Sequence, residues 1–295
     1  MNLLDEIKKQ FSSGSNLMKI IYINSAVFLL LAVVKIITFL LQVPGLSDKI
    51  LGFLAVPAAF DDLLRKPWTI LTYMFLHEGF LHLLFNMLWL YWFSTIFLHY
   101  FNHKKLLNLY IMGGLAGAIL YIISFNLFPA FSEVIHVSIA MGASASVMAI
   151  VVATAAYVPN YQVRMFLIGT VPIKYIAIGI LLLTSVFDFS VNTGGKIAHL
   201  GGALMGFVYA GRLRKGTDIG SWVSSIIDYF VTLFRPRKEM KVTYRRPVSD
   251  YDYNKSKADN QKQLDRILEK ISKGGYESLS KEEKELLFKE SNKKN

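Results

Sequence analysis

Six stretches of this chain stay apolar for about the length that a helix needs to cross a bilayer, and that repetition limits the fold more than any other feature. A helix spans the hydrocarbon core with about 20 apolar residues. The stretches run over residues 17–41, 70–98, 106–128, 139–157, 171–189 and 197–210. With no water in the bilayer core, backbone groups must find partners within the segment, so each stretch reads as a helix. The expected fold class is all-α, a polytopic membrane protein built as a six-transmembrane-helix bundle. The last stretch is short and Gly-rich, which a helix surrounded by other helices tolerates. A content of 53% hydrophobic and 18% charged residues agrees with this class.

The distribution of charge sets the expected topology. The net charge of +11 gathers at segment ends and in the C-terminal tail. Lys8, Lys9 and Lys19 precede or begin the first span. His103, Lys104 and Lys105 lie between the second and third, Arg164 between the fourth and fifth, and Arg212, Arg214 and Lys215 follow the sixth. That pattern fits membrane topology and anionic lipid headgroups, and no nucleic acid is expected as a partner. It predicts that these connections and both termini are cytoplasmic. Residues 1–16 form a polar lead without the short charged region and cleavage site of a signal peptide. The absence of Cys excludes disulfides and thiolate chemistry.

Under that topology the second, fourth and sixth spans run in the same direction, from the outside inward. Ser144, in Met141-Gly142-Ala143-Ser144-Ala145, and His199, in Ala198-His199-Leu200-Gly201-Gly202, then stand about one turn into the fourth and sixth spans, at a shared depth. Polar and ionisable residues are costly at that depth, which makes a hydroxyl nucleophile and an imidazole base a functional pair to test. Ala145, Ala149 and Ala153 on one span and Gly202 and Gly206 on the other recur every four residues, a spacing that permits close helix contact. Gly113, Gly114 and Gly117 predict another tight crossing on the third span. In the second span His82 and Asn86 share one helical face, with His77 above them. With the Ser144 backbone N–H, His82 and Asn86 could stabilise an oxyanion.

Each element also has a plainer reading. A lone intramembrane Ser usually bonds back to a carbonyl in the preceding turn. Small residues at four-residue spacing mean packing, and His77, His82 and Asn86 could be interhelical polar contacts or metal ligands. No carboxylate or Cys stands at ligand spacing beside them, so no metal and no cofactor is expected. What favours chemistry is that nucleophile, base and oxyanion donors all fall in the outer halves of three spans that run the same way.

At these residues, over about 68–211, the chain resembles the rhomboid family of intramembrane serine proteases. His77, His82 and Asn86 meet the second-span pattern, Gly142-Ala143-Ser144 meets the nucleophile motif in part, and Ala198, His199, Gly202 and Gly206 meet the sixth-span pattern. The resemblance implies a Ser/His dyad without an acid. His199 would take the proton from Ser144, which would attack a carbonyl in a substrate's transmembrane region before water resolves the acyl-enzyme. It also implies single-span membrane proteins as substrates and a bacterial cytoplasmic membrane as the location. Three positions depart from the family pattern. Ala145 replaces a Gly, and its methyl is expected to tighten the approach to the sixth span. Met148 replaces an aromatic residue that stacks on the base. Trp68-Thr69 replaces a Trp-Arg pair in the first outer loop, where Trp68 could still anchor the loop.

The expected organisation is a cytoplasmic segment at 1–16, a six-span domain at 17–212, a juxtamembrane amphipathic helix at 213–240, a flexible linker at 241–261 and a helical hairpin at 262–295. The connection from Gln42 to Trp68 fits a position partly in the outer leaflet, with an ordinary extracellular loop as the other reading. Trp222, Ile226, Phe230 and Leu233 recur at helical spacing before Arg235, Arg237 and Lys238, which reads as a helix lying on lipid. In the tail, Leu264, Ile267, Leu268 and Ile271 form a stripe, and Ser280-Lys281-Glu282-Glu283 is a capping box. That hairpin resembles a module appended to some bacterial rhomboid-like proteins and could bind a cytoplasmic partner. Two functions stay open, an active intramembrane protease and a catalytically silent protein that binds or escorts membrane clients.

Overall fold

In the computed structural model, which describes residues 15–165, 169–187, 192–234 and 249–291, each of the six apolar stretches contains a helix. The chain divides into two units, Met1–Arg235 and Pro236–Asn295. The first holds α1 (Asn16–Leu40), α2 (Leu46–Leu54), α3 (Phe60–Arg65), α4 (Thr69–Thr72), α5 (Phe80–Leu98), α6 (His103–Leu127), α7 (Ser144–Tyr157), α8 (Ile173–Ser185), α9 (Thr193–Arg214) and α10 (Ser221–Phe234). Two short antiparallel ribbons accompany them. β1 (Val56–Pro57) pairs with β2 (Ile139–Ala140), and β3 (Gln162–Met165) with β4 (Gly169–Pro172).

By length and composition, α1, α5 and α6 are each able to cross a membrane alone, whereas α7 and α8 are shorter apolar helices. The protein is an integral membrane protein with a polytopic helical bundle. Helix α7 is the centre of the bundle, packed against α5, α6, α8 and α9, and ten of its fourteen residues are buried. Its small side chains let two neighbours come to backbone contact. A Cβ on Gly202 would overlap the Ala145 carbonyl, one on Gly206 would overlap the Ala149 carbonyl, and one on Gly113 would overlap the Ala149 methyl. The small-residue spacing therefore marks the α7–α9 and α6–α7 crossings, as the sequence predicts.

The same crossings fix depth. Gly117 of α6 faces Ala145, and α6 continues ten residues beyond it to Leu127, about 15 Å at 1.5 Å per residue. The start of α7 is therefore recessed below the end of α6.

Two expected spans begin four or more residues after the start of their apolar stretches. Residues 70–79 are not continuous with α5; they form α4, a 3₁₀ turn (Tyr73–Phe75) and an extended link in which Leu76 has ψ 146 and Gly79 has φ −153. Residues 139–143 precede α7 rather than belonging to it. Ile139 and Ala140 pair with β1, and Gly142 sits at φ 134, which no helix accommodates. Ser144 is thus the first residue of its helix rather than one turn in. Helix α9 starts at Thr193, behind an Asn192 cap whose side chain accepts from Gly195 N at 3.2 Å, so His199 lies nearly two turns in.

Helix α10 lies within the expected juxtamembrane segment. Its Val223 is buried, its Ser224 accepts from Asn108 Nδ2 at 3.3 Å, and Trp222, Ile226, Phe230 and Leu233 are exposed. Arg235, Arg237 and Lys238 lie outside the described residues, as do Lys8, Lys9 and most of the expected N-terminal segment. In the second unit α11 (Asp250–Gly274) and α12 (Lys281–Ser291) flank a 3₁₀ turn (Tyr276–Ser278). Helix α11 begins well inside the expected linker 241–261. Residues 250–261 are polar, and contain neither Gly nor Pro to break a helix. Residues 241–248 lie outside the described ones. The capping box is present: Ser280 N donates to Glu283 Oε2 at 2.7 Å and Glu283 N to Ser280 Oγ at 3.3 Å.

Candidate active site

Ser144 opens α7. Val147 N is bonded to the Ala143 carbonyl at 2.9 Å, so the three amides before it, those of Ser144, Ala145 and Ser146, have no partner within the helix and stand at its positive end. The turn ahead of them is pinned from outside, because Gly142 N donates to the Tyr73 carbonyl at 2.9 Å. A Cβ on Gly142 would stand 3.1 Å from His82 Cε1, 3.3 Å from His82 Nε2 and 3.4 Å from Ser144 Oγ. Imidazole edge and hydroxyl thus border one small space, kept open by the missing side chain.

His199 reaches the same space from α9. It lies one turn ahead of Gly202, the residue that fixes α9 against Ala145, which brings it level with Ser144. Its Nδ1 is 3.2 Å from the Thr184 carbonyl of α8. A carbonyl oxygen can only accept, so Nδ1 carries the proton and Nε2 keeps its lone pair. Among the described residues, Ser144 and His199 are not hydrogen-bonded to each other.

Two cavities meet at this pair, both lined by His82, Ser144 and His199. One, of about 260 Å³, is walled by apolar side chains of α5, α7 and α8, among them Phe85, Trp89, Met148 and Ile180. The other, of about 430 Å³, is lined by exposed Glu78 and Asn192 with Gly79 and Gly195. A site with an apolar flank and a polar mouth can hold a lipid-soluble segment and still receive water.

The other predicted residues fall around this centre. Asn86 is buried, lines the apolar cavity and donates to the His82 carbonyl at 2.8 Å. His77 is buried, with its ring centroid 5.2 Å from that of His82 in an edge-on arrangement. Met148 is buried in the wall that it shares with His199. Gly202 and Gly206 are the contact points of α9 on α7. One expectation is corrected: the Ala145 methyl points at Gly117 of α6 rather than at α9, and it is the Ala145 backbone that meets Gly202.

Sequence reasoning missed the groups that fix this geometry through the backbone, the Thr184 and Tyr73 carbonyls, since a carbonyl carries no residue-type signal. It also missed Lys66. The last carbonyls of α2 are capped one after another: Lys66 Nζ bonds Gly52 O at 3.0 Å, Trp68 Nε1 bonds Phe53 O at 2.8 Å and Thr72 Oγ1 bonds Leu54 O at 2.6 Å. Trp68 thus anchors the loop as expected, and Thr69, buried and bonded to Lys66 O at 2.6 Å, leaves the carbonyl contacts to its neighbours.

Residues 64–216, just over half of the chain, match the Rhomboid domain family. The chain belongs to the rhomboid family. A rhomboid relative, RHOMBOID-like protein 12, mitochondrial, of Arabidopsis thaliana, is 29% identical over 160 residues. That match covers 50% of this chain and 47% of the relative, so the chain spans about half the length of the curated rhomboid protein that it matches. Beyond the rhomboid domain, residues 249–293 match a family of unknown function (DUF6576).

Proposed function

We propose that this rhomboid protein is an intramembrane serine endopeptidase acting through a Ser144/His199 dyad on membrane-protein substrates. The observation that carries the reading is that Ser144 and His199 line the same two cavities while the Thr184 carbonyl holds His199 Nδ1. His199 Nε2 takes the hydroxyl proton as Ser144 Oγ attacks the scissile carbonyl, and returns it to the leaving amine. The developing oxyanion meets the Ser144 amide at the N-terminus of α7, with His82 and Asn86 as further donors. Water arriving through the polar mouth then hydrolyses the acyl-enzyme. A backbone carbonyl stands where a triad would place a carboxylate; it fixes the tautomer but adds no charge to stabilise the imidazolium.

Orientation belongs to the same proposal. Lys104, Lys105, Arg212 and Arg214 mark the end of the bundle away from Ser144, where Arg214 also bonds the Ala156 and Tyr157 carbonyls. We assign that end, and both termini, to the cytoplasmic side of a bacterial membrane, with the exposed apolar face of α10 on lipid and the second unit free to bind a cytoplasmic partner.

A second reading, a silent client-binding protein, draws on the absence of a Ser144–His199 hydrogen bond among the described residues. Catalytic hydrogen bonds are often long before substrate binds, which favours the first reading. The test is cleavage of a panel of single-span proteins in liposomes by the parent, Ser144→Ala and His199→Ala. Cleavage by the parent alone is expected, with at least about a thousandfold loss in each variant. A parent that binds such proteins without cutting them would establish the second reading.

A further inference from the structure

Among the described residues lining the two cavities at Ser144, Glu78 is the one that bears a carboxyl group, and none is Lys or Arg; the rest are apolar, neutral polar or imidazole. Glu78 is exposed in the link between the 3₁₀ turn and α5, and no described basic group forms an ion pair with it. Lys35 shares with it the wall of a neighbouring cavity of about 420 Å³ but stands outside ion-pair distance. Lys196, next to the lining residue Gly195, turns its ammonium to the Phe187 carbonyl at 2.7 Å. The mouth of the site therefore presents the Glu78 carboxylate beside low-dielectric walls, where a bound cation is favoured and a second anion repelled.

We propose that Glu78 is a specificity residue that selects substrates with a Lys or Arg side chain close to the cleaved bond. The inference rests on the endopeptidase reading and adds the class of substrate. A cavity of 430 Å³ is about 9 Å across, or roughly three residues of extended chain at ~3.3 Å each. The basic side chain therefore lies within about three residues of the scissile carbonyl. In the proposed orientation the site faces the outer side, where Lys and Arg are the rarer flanks of membrane segments. A requirement for one there narrows the set of clients, and an acidic residue in its place is excluded by repulsion.

The experiment uses the full chain in liposomes and a single-span substrate carrying Lys, Gln or Glu at each position within four residues of the cut. Each is assayed with the parent, Glu78→Gln and Glu78→Lys. At one or two positions the parent is expected to cleave the Lys substrate about two- to fivefold better in kcat/KM than the Gln substrate, the size of one partly exposed ion pair. The Glu substrate is expected to be poorest. That ratio falls to about one in Glu78→Gln, inverts toward the Glu substrate in Glu78→Lys, and shrinks at high salt. Equal ratios in all three enzymes overturn the inference and leave the protease reading standing. Loss of all cleavage in both variants also overturns it, because Glu78 would then serve the fold or the chemistry. A parent that cuts no substrate at all removes the activity itself, a different failure from either.

Discussion

Asn86 is the residue whose substitution best separates binding from chemistry. Its side chain is buried in the wall of the apolar cavity and already gives one N–H to the His82 carbonyl, which leaves its second N–H to serve, in the proposed mechanism, as a donor to an oxyanion. Asn86→Ala is expected to lower kcat by about a hundred- to a thousandfold with little change in KM, since a donor used only in the transition state does not hold the ground state. Steady-state kinetics on a cleaved substrate checks this, with unchanged helicity showing that the bundle persists. That Ser144, His199, His82 and Asn86 gather at one cavity was legible in the sequence because chemistry-bearing side chains are scarce in apolar segments. The Thr184 carbonyl was not legible, because every residue has one and only the approach of α8 to α9 singles it out.

At the scale of elements, the position of Ser144 depends on how closely three helices approach. Gly202 has the Ala145 carbonyl directly over its Cα, and Gly117 has the Ala145 methyl over its own. Gly202→Val therefore has to push α9 off α7, which is expected to cost at least about 1–3 kcal/mol. It should appear as a lower Tm in detergent and as lost activity together, because His199 moves with the helix. Leu200→Ala, on the exposed side of the same turn, is the control and is expected to change little. Four-residue spacing predicted these crossings, but the starts of α5 and α7 were placed too early. Apolar composition continues through residues 70–79 and 139–143, and at the second of these the helix is displaced by the pairing of Ile139–Ala140 with Val56–Pro57, a contact across more than eighty residues.

In the whole molecule the two units differ in what holds them. The first is a buried helical core of small residues, whereas the second depends on one long and one short helix joined by Ile267, Leu279 and a cluster of surface charges. Glu283 illustrates the latter: the Lys270 ammonium, bonded at 2.9 Å, and the Ser280 amide hold its carboxyl below the ordinary glutamate range. A depressed carboxyl stabilises the folded form above its unfolded pKa, and that contribution is lost as pH falls through the folded value. Acidification from pH 7 is accordingly expected to loosen the α11–α12 hairpin below the ordinary glutamate range. NMR titration of the Glu283 side chain should show a depressed midpoint that returns upward in Lys270→Ala. By itself the sequence determined that the chain is a bundle of membrane helices, which helices could touch, and which side chains could react, since segment length, residue size and side-chain chemistry are local properties. Only the tertiary structure decided where α5 and α7 begin, how far Ser144 is recessed below the end of α6, and which nitrogen of His199 is left free. Each of those is set by backbone groups distant in sequence, whose meeting no local pattern encodes.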